Sequence, residues 1–171
     1  MDEIKQHIRD VVDFPKPGIT FKDITPLLAN HDVLKKTICA LEQPYKNEAV
    51  TAVAGIEARG FIFGSLVAQN LGCGFVPLRK PGKLPCPSYE TEYQLEYGKN
   101  VLQIHQDAVQ EKDRVLIVDD LLATGGTAVA SIELIEKTGA SVAGVAFVVE
   151  LGFLNGREKL KNYKIHSVIR Y

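Results

Sequence analysis

The chain has 171 residues, 46% hydrophobic and 24% charged, which suits one folded domain and excludes a disordered chain. Twenty basic residues against 21 acidic ones give a net charge of −1, which argues against a nucleic-acid backbone as partner, because such binding rests on a dense basic face. The polar start MDEIKQHIRD, an apolar maximum near residues 142–151 too short to span a bilayer, and scattered cysteines at 39, 73 and 86 lead us to expect a soluble cytoplasmic protein with reduced thiols and no membrane partner.

Residues 2–12 fit a short amphipathic helix, with Ile4, Ile8, Val11 and Val12 on one side. The prolines of FPKPG at 14–18 stop it. Residues 19–31 are apolar but irregular. Residues 32–42 look helical, with Asp32 as the cap. A strand-then-helix rhythm follows: apolar runs at 49–56, 74–78, 114–118, 142–150 and 165–169, an alternating half-exposed strand at 101–105, and helices at 60–71 and 127–137 closed by Gly72 and Gly139. Continuous apolar runs alternating with helices indicate an α/β fold, a mostly parallel central sheet covered by helices on both faces. We expect a single domain over 1–171, with residues 1–31 as a small hood and ligands gathered beyond the carboxyl ends of the strands. Segment 80–100 breaks the rhythm, with prolines at 81, 85 and 87, and reads as a mobile functional loop or a small hairpin. The four histidines, at 7, 31, 105 and 166, show no ligand-like spacing.

The sharpest local signal is VLIVDDLLATGGT, residues 115–127. Four apolar residues form a buried strand, and Asp119 and Asp120 follow at its carboxyl end. Ala123, Thr124, Gly125, Gly126 and Thr127 then lead into a helix. Glycines let the backbone fold back without a Cβ clash. Successive N–H groups make a concave anion site, and the helix adds about +0.5 charge at its start. With the hydroxyls of Thr124 and Thr127, this suits one phosphate monoester. The acidic pair suits the hydroxyls of a ribose diol, or a divalent ion held by the ligand. The stretch lacks the Gly-Lys-Ser/Thr of a Walker A loop and the G-x-G-x-x-G of a dinucleotide site.

Two acids after four apolar residues, ending in T-G-G-T, resemble the ribose-phosphate motif of the type I phosphoribosyltransferases. FPKPGITFKDITPLL (14–28), GIEARGFIFG (55–64), LRKPGKLP (78–85) and LEYGK (95–99) are similar, in that order, to the adenine-using branch of that family. The resemblance implies a magnesium-dependent transfer of ribose 5-phosphate from 5-phosphoribosyl 1-pyrophosphate to adenine, giving AMP and pyrophosphate. It implies that Arg59 and Lys83 meet the pyrophosphate, and that a non-proline cis peptide lies at Glu57–Ala58. The resemblance further implies that Phe21 stacks on the base, with backbone groups around Thr20–Lys22 at its edge, and that Glu96, with Tyr97 next in sequence, is the catalytic carboxylate. It implies magnesium held mainly through the ligand, and a homodimer in which Arg79 reaches the partner subunit's site. Two other readings stand beside this one: the same transfer to another purine, and a non-catalytic sensor of phosphoribosyl pyrophosphate. The sensor is disfavoured because the chain has neither a basic face nor room for a DNA-binding module.

Overall fold

The computed structural model describes the backbone of residues 1–95 and 98–171 and the side chains of residues 1–93 and 100–171. A five-stranded, wholly parallel sheet forms its centre. It comprises β3 (Ala52–Ile56), β4 (Gly74–Leu78), β7 (Arg114–Leu122), β8 (Ser141–Glu150) and β9 (Ile165–Arg170), in the spatial order β4-β3-β7-β8-β9. Alternate residues of the inner strands feed two cores. Ala52, Ala54, Val115, Ile117, Val145 and Phe147 face one core; Val53, Leu116, Val118, Ala146 and Val148 face the other. Burial on both faces is why these strands read as unbroken apolar runs.

The first core is covered by α5 (Gly126–Lys137) and by an antiparallel hairpin of β5 (Ser88–Leu95) and β6 (Gly98–His105). The second is covered by α3 (His31–Glu42) and α4 (Arg59–Leu71). Gly72, at φ 69°, ends α4 in the left-handed conformation expected of a glycine there. Among the described residues, no helix is long and apolar enough to cross a membrane.

The N-terminal segment departs from the sequence reading. A helix occupies only Asp2–Gln6 (α1), and Arg9–Val12 forms β1. This strand pairs antiparallel with β2 (Thr20–Asp23), a strand inside the stretch that looked irregular. The spacing of Ile4 and Ile8 serves the helix, but cross-strand pairing claims the next residues. A short α2 (Thr25–Ala29) follows. The turn between β1 and β2 carries a cis Phe14–Pro15 bond and Gly18 at φ 85°.

Three further boundaries shift. The Asn30 side chain, not that of Asp32, caps α3 by accepting from the Val33 N–H at 3.1 Å. Asp119 and Asp120 lie within β7 and not beyond it, since pairing with β8 continues to Leu122. Segment 80–100 carries β5, and the hairpin is joined to the end of β4 by two hydrogen bonds between Arg79 and Gln103. The cap assignment sets an expectation for stability: Asn30→Ala should cost about 1 kcal/mol in urea unfolding, as a lost cap does, and Asp32→Ala clearly less.

Candidate active site

The carboxyl ends of β3, β4 and β7 carry Arg59, Arg79, Lys83, Asp119 and Asp120 of the residues singled out by sequence. At the end of β7, Asp120 is buried and Asp119 half-buried. The Asp119 carboxylate accepts from the Asp120 N–H at 2.9 Å, and Asp120 pairs with Arg59 Nε at 2.9 Å. Burial, together with the charge of Asp120, pushes the Asp119 carboxyl well above its ordinary range. Burial also raises Asp120, against the opposing pull of Arg59. The pair therefore holds its negative charge reluctantly and gains from partners that donate to it.

Arg59 opens α4 directly after the loop that follows β3. Its guanidinium also lies over the Phe21 ring, 5.2 Å from the centroid, and Phe14 meets Phe21 edge-on at 5.3 Å. One side chain thus links the hood, the loop after β3 and the acidic end of β7. The approach is close at the backbone too. A Cβ on Gly60 would lie 2.8 Å from the Val118 carbonyl and 2.9 Å from Asp119 Oδ1, so only glycine lets α4 begin against β7. Lys22, next to Phe21 on β2, turns the other way, pairing with Asp10 at 2.7 Å and lying over the Tyr171 ring. Its contribution toward Phe21's side is confined to the backbone, as is usual for neighbours along a strand. Thr20 is exposed.

The Glu57–Ala58 bond is cis, where the resemblance put it. The Glu57 side chain, not singled out for a role by its sequence, organises the cations after β4. Its carboxylate accepts from Lys83 Nζ at 2.5 Å and from the Lys80 N–H at 3.1 Å, and lies 3.4 Å from Arg79 Nε. Burial acts to raise this carboxyl, but the Lys83, Lys80 and Arg79 contacts outweigh it and hold it down to about 2. Arg79 also donates to the Lys83 carbonyl at 3.0 Å. Only the spacing of Glu57 from the strand end marks it in the sequence. By the same rule Leu151, Phe153 and Leu154, beyond β8, line a cavity of about 450 Å³ with Ile19, Thr20 and Lys22; their residue types give no hint of a site.

Ala123–Thr127 form a separate cavity of about 80 Å³ with Asp119, Leu122 and Phe147. Gly125, at φ 80°, occupies the N-cap of α5. Having no side chain, it leaves the first-turn N–H groups of a twelve-residue helix to a ligand, with the helix dipole behind them. An anion is the natural occupant. Glu96 and Tyr97 lie outside the described residues.

The phosphoribosyl transferase domain family matches residues 23–169. The chain belongs to that family. Within the family it is 56% identical over 171 residues to the adenine phosphoribosyltransferase of Nitrosococcus oceani and 57% identical over 171 residues to that of Methylococcus capsulatus, each match covering 100% of both chains. The crystal structure of adenine phosphoribosyltransferase from Thermoanaerobacter pseudethanolicus superposes with a TM-score of 0.96 at 51% identity, covering 99% of each chain. That of the Saccharomyces cerevisiae enzyme, complexed with an imino-altritol bisphosphate and adenine, gives 0.93 at 39% identity, covering 98% of this chain and 97% of its own. The fold expected from the sequence is that of the family.

The raised carboxyls of the acidic pair carry a stability consequence. A carboxyl whose folded pKa lies above its unfolded value of about 3.9 destabilises the fold when ionised. The cost is absent below the unfolded value and complete above the folded one. Asp119→Asn should therefore raise the melting temperature at neutral pH, by roughly 2–4 °C for each kcal/mol relieved. The gain should shrink as pH falls through that window; calorimetry across pH measures it.

Proposed function

We propose that the chain transfers ribose 5-phosphate from 5-phosphoribosyl 1-pyrophosphate to adenine, releasing pyrophosphate and forming AMP. The observation that carries this reading is Arg59, which joins the Phe21 ring on the base side to Asp120 on the sugar side. The 5′-phosphate occupies the cradle at Ala123–Thr127, and the ribose hydroxyls donate to Asp119 and Asp120, relieving two desolvated carboxylates. The pyrophosphate lies toward Arg59 and Lys83, where cations neutralise the leaving group. The bond from the anomeric carbon to the pyrophosphate oxygen breaks as the bond to the purine imidazole nitrogen forms. The proton on that nitrogen passes to the Glu96 carboxylate, a role that rests on the LEYGK block. Phe21 stacks on the base, a contact of about 1–3 kcal/mol in comparable stacks, and backbone groups of Thr20–Lys22 read its edge. Tyr97, next to Glu96 in the LEYGK block, is read as a substrate-binding residue on the same ground.

Magnesium fits as an ion carried by the substrate. Asp120 is engaged by Arg59 and Asp119 by a backbone N–H, and magnesium takes few protein ligands when phosphates supply oxygens. Bound to the pyrophosphate, the ion offsets the charge that builds on the leaving group. We read the protein as a homodimer with Arg79 directed to the partner subunit's site; within one chain Arg79 is held by Glu57 and Lys83.

A turnover assay with adenine, hypoxanthine, guanine, xanthine and orotate, with and without magnesium, should give AMP formation with adenine alone and only with the metal. Turnover of another base in preference to adenine would overturn the base assignment. Asp119→Asn with Asp120→Asn should raise KM for the sugar substrate by tenfold or more while the circular dichroism spectrum stays native. Glu96→Ala should lower kcat far more than it weakens binding; an unchanged kcat removes Glu96 from the chemistry.

A further inference from the structure

The phosphate cradle turns at Gly125, at φ 80°, and glycine is conformationally permissive. Its backing comes from a distant segment. After β8 the chain passes through Asn155, in the left-handed conformation at φ 53°, into a tight turn over Gly156–Leu160. Gly156 there lies against the cradle backbone to backbone. A Cβ on Gly156 would sit 2.2 Å from the Ala123 carbonyl oxygen and 2.9 Å from the Gly125 nitrogen. Conversely, a Cβ on Gly125 would sit 2.6 Å from the Gly156 carbonyl oxygen. Gly156 itself has no left-handed φ, so alanine suits its backbone and the cradle is what forbids it.

The next residue fixes this turn to the sheet. Arg157 forms a two-pronged pair with Glu150, at 3.1 Å from Nε and 2.6 Å from Nη2. It also reaches the Ile165 carbonyl and Ser167 Oγ, each at 3.4 Å. Glu150 is buried at the end of β8, accepts from Ser167 Oγ at 2.6 Å, and lies across the ladder from Leu122, the residue before the cradle. A planar guanidinium in a two-pronged pair sets direction as well as distance.

We infer that Gly156, held by the Arg157–Glu150 pair, is a positioning element that sets the Ala123–Gly125 backbone for the 5′-phosphate of the donor. The inference rests on the transferase reading and deepens it. Phosphate recognition by N–H groups depends on sub-ångström placement, and displacement on the order of 1 Å costs up to about a hundredfold in rate. Arg157 and Glu150 touch no substrate atom; they act through Gly156.

The test uses the full-length chain and the variants Gly156→Ala and Arg157→Lys, the second keeping the charge and losing the fork. Titration calorimetry measures ribose 5-phosphate and magnesium pyrophosphate separately, and steady-state kinetics give KM for phosphoribosyl pyrophosphate and for adenine. We expect ribose 5-phosphate affinity to fall about tenfold or more in each variant, with a matching rise in KM for the donor, the larger change coming from Gly156→Ala. Pyrophosphate affinity and KM for adenine should stay within about twofold. Should Gly156→Ala fail to fold, Arg157→Lys decides by the same split. Equal weakening of both ligands, or of neither, in a natively folded variant would overturn the positioning role. A wild-type chain without turnover would overturn the transferase reading instead, and the two failures are distinguishable.

Discussion

The pairing of Arg59 with Asp120 is the interaction on which the arrangement of the site depends. Two adjacent carboxylates at the end of a buried strand are an unfavourable thing to fold around, and isolated desolvated charges cost several kcal/mol each. One guanidinium offsets part of that cost and stays partly hydrated, its side chain 37% exposed. The same plane lies over Phe21, so a charge that the acids require also ties the hood to the site, beside the burial of Ile4, Ile8, Ile24 and Leu27 in the core. Loss of Arg59 would take the counter-ion from the acids and one tie from the hood. Gly60 makes this possible by letting α4 start almost in contact with β7.

Across the cleft the opposite problem has a mirrored solution. Arg79, Lys80 and Lys83 gather cationic charge beyond β4, and the single Glu57 carboxylate ties them together. In the proposed transfer, a leaving pyrophosphate would meet cations already arranged around an acidic centre. Preorganisation of this kind spares the reaction the reorganisation of solvent and side chains at the moment charge develops. The two charge clusters lie at the ends of β4 and β7, on either side of β3, which fits a substrate carrying both neutral hydroxyls and a polyanion.

Much of this was legible in the residues, for identifiable physical reasons. Two-sided burial forces long apolar runs, so the parallel strands announced themselves, and the D-D…T-G-G-T stretch marks a glycine-rich helix start suited to an anion beside two acids. The hairpin was one of two readings open for segment 80–100. Tyr89, Thr91 and Tyr93 alternate with Glu90 and Glu92 as a one-sided strand should, Thr91 is buried, and both tyrosines pack on the core, but the preceding prolines gave the segment the look of a loop. At the N-terminus, Val11 and Val12 fit a helical stripe as well as a strand, and only pairing with Phe21 and Thr20 decides. Charge at Asp119 and Asp120 suggested the end of a strand, yet ladder pairing to β8 outlasts it. Glu57 and Gly156 matter through what folds against them, and a single sequence records no such neighbours.

The order of strands in the sheet has a consequence for the life of the chain before it is an enzyme. The strand at the centre, β7, begins at Arg114, and its partner β3 ends at Ile56. While the protein is being synthesised, β3 and β4 emerge and can pair, but the other edge of β3 waits, open and wholly apolar, until β7 has been made. Unpaired strand edges invite contact with other nascent chains. The nascent N-terminal half is thus the aggregation-exposed form of this protein, and chaperones that shelter growing chains would meet it in that interval, before any part of the phosphate site exists.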